Sequence, residues 1–434
     1  MRYKLRDIPY LLHTPIGRSQ FLSGVYYRCW PLLSRAARLY RRTLVRKPRI
    51  VAVVGSFGKT TTACAVATAL GMQISPSIEL NEWSYVAGKI LALRPWDRHE
   101  VIEIGIDGRG QMGSFARMIR PDITVVTAIG SDHCRSLGSL ELTRTEKAEM
   151  VRVLPESGFA ILNGDDPNVL WMRKCSRARV ITFGMDAGND VHASDIRLEW
   201  PYGTRFRLHV DGTTYDLRVR LLGKHMLYSI LAAASVALAE GFPLEQIFLA
   251  LEALPPTPGR MELIRLESGV FILRDDYKAS LETFHAALDV LGEIPARKRV
   301  VVLGEVTDAH GSRGPTYRRI GERLAQVASR AVFLCTGKSF QCYAAGAARA
   351  GVPREALINA HKSISEAIEA VKQDVEPGDV VFIKGRSTQR LDRVTLGLVG
   401  RKVRCDINFC NAMPIRCWDC PMLERGWEGL RLVI

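Results

Sequence analysis

The chain has 434 residues, 47% of them apolar, which allows two or three packed domains and excludes a generally disordered protein. Its formal net charge of +15 suits nucleic acid, an anionic membrane surface or acidic substrates. No recognised nucleic-acid module accompanies the charge, so no nucleic-acid partner is expected.

Residues 1–48 carry Tyr10, Leu11, Phe21, Tyr26, Tyr27, Trp30 and Leu32 among many arginines. The segment lacks the roughly 20 consecutive apolar residues of a membrane span, and its apolar stretch is too short and broken for a signal peptide. A cytoplasmic protein is expected. The N-terminal segment reads as helical, either packed on the next domain or making peripheral membrane contact through residues 1–45 as an interfacial helix on anionic lipid.

From residue 49 the pattern is α/β. RIVAVVG leads into a helix from Lys59 to Leu70, EVIEIG precedes a glycine-rich turn, and ITVVTAIG precedes a long polar and helical segment. Apolar strands alternating with helices predict a parallel sheet. Between about Val180 and Leu222, short alternating runs such as RFRLHV predict an antiparallel β insert. An Ala-rich helix follows from about His225 to Glu240. The proline-rich run Pro255 to Arg260 is the expected hinge, and VFILRDD, RVVVLGE, RAVFLCTG and DVVFIKG beyond it predict a second Rossmann-like domain. The expected domains are 1–48, 49–257, 258–400 and a cysteine-bearing tail, 401–434.

Val51 to Thr62, VAVVGSFGKTTT, places a buried strand, a glycine-bearing loop, a lysine and hydroxyl residues directly before a helix. Gly55 and Gly58 let backbone N–H groups close around phosphate oxygens, with Ser56 between them. Lys59 neutralises phosphate charge, and Thr60, followed by Thr61, can ligate Mg²⁺. Only two residues separate Gly55 from Gly58-Lys59, whereas the usual phosphate loop has four.

The shortened Gly-x-x-Gly-Lys-Thr-Thr resembles the signature of the Mur ligases. Glu103 in VIEIG resembles that family's magnesium-holding glutamate. Thr127 to Met150 resembles its Thr-Asn-Ile-Gly-x-x-His, Gly-Ser-Leu-Glu and Lys-x-Glu succession. ILNGDDP, GKHMLYSILAAASVAL, PGRME, RDDYKAS, VVLGEV and VFIKGRSTQRLDRV resemble later motifs, the last two those of the MurF-type branch, which adds D-alanyl-D-alanine to a UDP-muramoyl peptide. The resemblance runs from about Ile50 to Leu398 and implies an ATP- and Mg²⁺-dependent ligase that joins a small-molecule carboxylate to an amine through an acyl-phosphate, in cell wall biosynthesis. It implies a metal role for His133, a carbamylated Lys147, and ATP contacts from Arg260 and Asp275 on closure of a hinge near Pro258.

Several positions depart from the family pattern. Ala128, Met226, Ser229, Lys278 and Ser280 stand where Asn is expected, and LNEWSYVAGK matches the family's acceptor-gripping segment poorly. About 48 residues precede the first strand, so a separate UDP-binding domain is not expected there. The acid is accordingly expected to be smaller or differently tagged than UDP-muramoyl peptide. The same departures admit a second reading, a degenerate Mur-like scaffold that binds nucleotide or a partner enzyme without ligation, and the aromatic and basic N-terminus admits a third, a membrane-peripheral subunit of an envelope biosynthetic complex.

Of ten cysteines, Cys405, Cys410, Cys417 and Cys420 fall near the end of the chain. Four soft ligands in a short loop predict a closed tetrahedral Zn²⁺ site stapling the tail, against the alternatives of an iron-sulfur cluster, free or redox-active thiols, or chance clustering.

Overall fold

The computed structural model describes residues 3–130, 137–307, 313–412, 415–427 and 430. The chain divides into two compact units, one of residues 27–257 and the other of residues 1–26 with 258–434. The N-terminal helical segment is distributed over both: Leu5–Asp7, Ile8–Leu12 and most of Pro15–Arg28 belong with the later unit, Trp30–Thr43 with the earlier one.

Unit 27–257 is built on an eight-stranded sheet. Its strands are β1 (Arg49–Val54), β2 (His99–Glu103), β3 (Ile123–Val126), β4 (Phe159–Asn163), β5 (Arg179–Gly184), β6 (Val191–Glu199), β7 (Gly203–Val210) and β8 (Thr213–Val219), in the order β2-β1-β3-β4-β5-β6-β7-β8. β1 to β5 pair in parallel. Ile50, Ala52 and Val54 share a core with Ala37, Val86, Phe115 and Ala148 from four helices. The alternate residues Val51 and Val53 are equally buried. Burial on both faces is why β1 reads as an unbroken apolar run.

β6 joins β5 in parallel through Val191 and His192, and β6, β7 and β8 then form an antiparallel meander that extends the same sheet. Phe206, Leu208 and Val210 point inward while Arg205 and Arg207 are exposed, the alternation expected where one face meets water. The Ala-rich helix Leu227–Ala239 is buried almost throughout and lies against the helix Lys59–Ala69, where Thr62 Oγ1 donates to Ser229 Oγ at 2.9 Å.

The other unit carries six strands, β9 (Glu262–Arg265), β10 (Phe271–Asp275), β11 (Arg299–Leu303), β12 (Arg330–Phe333), β13 (Leu357–Asn359) and β14 (Val380–Lys384), in the order β13-β12-β11-β14-β10-β9. All pair in parallel except β9, which lies antiparallel at the edge. Ile272, Val300, Val302, Val332, Val381 and Ile383 form its core.

Candidate active site

β1 ends at Val54 and the next helix begins at Lys59, so the loop between them sits at the carboxyl edge of the sheet. Gly55 has φ 148° and Gly58 φ 78°, conformations that disfavour any side chain. A Cβ on Gly55 would stand 1.9 Å from Thr127 Oγ1, which itself donates to Phe57 O at 2.6 Å. The loop is also held by Ser56 N–H, which donates to Ala128 O at 2.7 Å. Position 128 thus contributes through its backbone, which alanine supplies as well as asparagine.

Lys59 is 7% exposed, and its Nζ donates to Gly55 O and Ser56 O at 3.1 and 3.3 Å. The ammonium is therefore held on the loop itself. Ser56 Oγ is a junction: it accepts from Gly130 N–H at 3.0 Å and from Lys147 Nζ at 3.0 Å. Lys147, only 2% exposed, thereby brings the helix Leu140–Arg152 onto this serine. Thr60 and Thr61 are buried in the first helical turn.

Glu103 ends β2 directly beside Val53 of β1 and is 2% exposed. Its Oε1 accepts from Asn81 Nδ2 at 2.6 Å, while Oε2 is buried without a hydrogen-bond partner among the described residues. Such an oxygen is costly to leave unsatisfied and is what a hard cation requires. The buried carboxylate therefore fits a hard cation such as Mg²⁺. His133, also expected at the metal, lies outside the described residues.

The ILNGDDP element is a brace. Asn163 Nδ2 donates to Thr127 O at 2.8 Å, and Asp166 Oδ2 accepts from Ile129 N–H at 2.7 Å. Burial opposes charge on Asp165, but the Met185 and Asp186 amides, the Tyr228 hydroxyl and Asn189 outweigh it and hold its carboxyl below the usual range.

In the unit containing residues 258–434, Gly259 (φ 69°) starts a turn whose N–H donates to Glu262 Oε2 at 2.8 Å, and Arg274 pairs with the same oxygen at 3.0 Å. This turn presents Arg260, whose guanidinium lies 4.5 Å from the centre of the Tyr277 ring. Asp275 stands opposite Lys384 in the β10/β14 register, and the two form a buried ion pair. Lys384 Nζ also donates to Lys278 O at 3.0 Å. Burial lowers the Lys384 pKa, Asp275 opposes that, and Arg260 adds to it, so the three are one electrostatic group. Ser280 caps the helix Leu281–Glu293 by accepting from Thr283 N–H.

The carboxyl ends of β11, β12 and β14 frame a cavity of about 120 Å³, lined in part by Glu305, Thr336, Lys362, Arg386 and Asn408. Burial opposes charge on Glu305, but the Tyr317 hydroxyl, Thr336 N–H, the Ser339 hydroxyl and Arg386 hold its carboxyl below the usual range. Arg386 Nε is buried without a hydrogen-bond partner among the described residues.

The terminal cysteines require a correction. Among the described residues no group of three or more His, Cys, Asp or Glu side chains is arranged to hold a metal ion, so the zinc site expected at Cys405, Cys410, Cys417 and Cys420 is not supported. Cys405 Sγ instead accepts from Trp427 Nε1 at 3.3 Å. Cys417 packs against Leu396 and Leu423, and burial raises its thiol pKa, as it does that of Cys420. The staple is Arg393, 1% exposed, whose guanidinium donates to Cys405 O, Ile407 O and Gln389 O at 2.7, 2.6 and 2.9 Å.

Sequence reasoning named the loop, Glu103 and Lys147. It missed Asn81 as the partner of Glu103, although Asn81 lies in the segment judged a poor match. It also missed Lys384, whose only local signal is a lysine ending an apolar strand.

The two sheets, the phosphate loop and the carboxylate beside it agree with the class that the matching families and relatives show, an ATP-dependent ligase that forms an amide bond. Residues 53–237 match the Mur ligase middle domain and residues 259–387 the Mur ligase, glutamate ligase domain. The UDP-N-acetylmuramoyl-tripeptide--D-alanyl-D-alanine ligase of Mycobacterium tuberculosis (strain CDC 1551 / Oshkosh) is 31% identical over 373 residues, covering 81% of this chain and 72% of that one. The enzyme of the same name from Escherichia coli (strain K12) is 28% identical over 357 residues, covering 81% and 76%. A crystal structure of MurF from Acinetobacter baumannii, 24% identical, superposes with a TM-score of 0.75 over 86% of this chain and 81% of its own. The chain therefore belongs to the Mur ligase family, in its MurF-type branch.

Proposed function

We propose that this protein joins UDP-N-acetylmuramoyl-tripeptide to D-alanyl-D-alanine, with cleavage of ATP to ADP and phosphate. The reading is supported by the relatives named for that reaction, which match over 81% of the chain. It is a correction to the expectation of a smaller or differently tagged acid. That expectation rested on the 48 residues before β1 and on the poor match of LNEWSYVAGK to the acceptor-gripping segment.

The chemistry follows from the groups present. A carboxylate oxygen of the acid attacks the γ-phosphorus and ADP leaves; the amine then attacks the acyl carbon and phosphate leaves. Lys59 and the loop amides offset negative charge on the phosphates. Mg²⁺, when bound, supplies further neutralisation, and Thr60 and Glu103 would hold it. The cavity beside Arg386 and Lys362 offers two cations for the carboxylate of an incoming dipeptide.

The test is phosphate release from Mg²⁺-ATP, with Lys59→Ala as the blank, across acid and amine pairs that include these two. Release that requires both substrates is expected. ATP binding with no release from any pair would overturn the ligase reading in favour of the non-ligating scaffold.

A further inference from the structure

We infer that unit 27–257 carries a docking surface for an anionic lipid bilayer, formed by the outer face of the helix Trp30–Thr43 and the turn bearing Trp96. This goes beyond the ligase reading and does not depend on it.

The helix has two faces of opposite kind. Its inner face places Trp30, Leu33, Ala37 and Tyr40 on the core. Its outer face leaves Leu32 and Leu39 exposed at 70% and 64%, seven residues apart and therefore on one stripe, with Arg35, Arg38 and Arg42 exposed beside them. Leu44, Arg46 and Lys47 continue the exposed series beyond the helix end. Large exposed apolar residues interleaved with arginine are the composition of an interfacial helix.

A second, separate segment reaches the same end of the sheet. Tyr40 Oη donates to Leu93 O at 2.8 Å, and Arg49 N–H donates to Arg98 O at 2.8 Å, so the residues after the helix and the turn 94–98 are tied together. Lys47, Arg49, Trp96 and Arg98 line one open depression. Trp96 stands at the tip of its turn, 74% exposed, between exposed Arg94 and Arg98. Tryptophan is favoured at the headgroup level of a bilayer, where its ring is half apolar and half wet.

Charge points to an anionic partner. No acidic residue occurs from Ile8 to Ile78. The nearby acids are engaged: Glu240 pairs with Arg49 and His99, Asp122 pairs with Arg41, and Asp97 accepts from Arg94 N–H. Nucleic acid would use the arginines but would leave Leu32, Leu39 and Leu44 without a role. An anionic bilayer uses both.

The experiment is co-sedimentation of the full chain with phosphatidylcholine vesicles, with and without phosphatidylglycerol, alongside duplex DNA binding. Two variants are compared, Leu39→Ser/Trp96→Ser and Arg35→Gln/Arg42→Gln, each first shown to melt at the wild-type temperature. Wild type is expected to pellet only with the anionic vesicles. Each arginine removed should weaken binding roughly fivefold, the ratio equivalent to about 1 kcal/mol per basic residue near an anionic surface. The Leu39/Trp96 variant should lose vesicle binding while keeping any DNA binding. Absence of wild-type pelleting, or pelleting unaffected by loss of Leu39 and Trp96, would overturn the proposal.

Discussion

Lys147 Nζ donates to Ser56 Oγ at 3.0 Å, so a buried lysine from a helix 91 residues away in sequence is seated on the phosphate loop. The contact supports the site role proposed for Lys147. Lys147→Ala is expected to lower kcat roughly 10²- to 10³-fold, the scale seen when one preorganised charge-stabilising group is removed. ATP affinity should change little because Lys59 and the loop amides remain. Steady-state kinetics with nucleotide binding by calorimetry would check this, and equal losses in both would refute it.

Among the described residues, Glu103 carries one satisfied and one unsatisfied buried oxygen. Glu103→Gln keeps the shape and replaces a cation ligand with a neutral amide. The expected outcome is a higher Mg²⁺ concentration for half-maximal activity and a lower maximal rate, with melting in the absence of metal unchanged or raised. A Mg²⁺ titration of phosphate release decides it. An unchanged Mg²⁺ requirement would remove Glu103 from the metal site.

The parts of the site legible in the sequence are those whose chemistry is contiguous. Gly55 to Thr61 can be read because strand, turn, cation and helix start follow one another directly. Thr127 and Lys384 were not readable in their roles. Thr127 Oγ1 meets Phe57 O across 70 residues, and Lys384 meets Asp275 across 109. Cysteine spacing failed for the same reason: four thiols count as ligands until a buried arginine from another helix, Arg393, is seen holding the tail in their place. The parallel and antiparallel halves of the first sheet were legible because burial on two faces and on one face leave different hydrophobic periods. The same limit explains Ser229, which looked like a lost contact and instead accepts from Thr62 in the phosphate-loop helix.

Arg386 supplies a buried Nε, without a hydrogen-bond partner among the described residues, to the cavity at the carboxyl ends of β11, β12 and β14. If this cavity takes the carboxylate of the dipeptide, Arg386→Gln should raise KM for D-alanyl-D-alanine by roughly tenfold or more, the scale of a lost charged hydrogen bond. KM for ATP should stay within twofold. A change in ATP KM alone would place Arg386 elsewhere in the reaction.

Lys384 and Asp275 are a buried pair, and removing one partner strands the other. Lys384→Met is expected to cost about 3–5 kcal/mol of stability, whereas Lys384→Met with Asp275→Leu should recover most of it. Both variants are expected to be slow ligases, because the family resemblance implies an ATP contact from Asp275, which Lys384 holds. Denaturant unfolding separates the two effects. A double variant as unstable as the single one would show that the pair matters for packing rather than charge.

Glu100, the second residue of β2, is pushed up to about 7 by burial; Lys89 opposes the shift and Asp97 adds to it. The folded state therefore holds a proton on this carboxyl between its ordinary value of 4.5 and about 7, where the unfolded chain has lost it. Stability from this group is fully present below 4.5 and declines as pH rises through that window, because unfolding then releases a proton. Glu100→Gln removes the ionisable group while keeping its size. The variant is expected to melt higher than wild type at pH 8, where the buried charge is fully formed, and close to wild type at pH 4. Scanning calorimetry at the two pH values checks the sign. An equal shift at both would mean that packing of the amide, and not burial of the carboxylate, sets the difference.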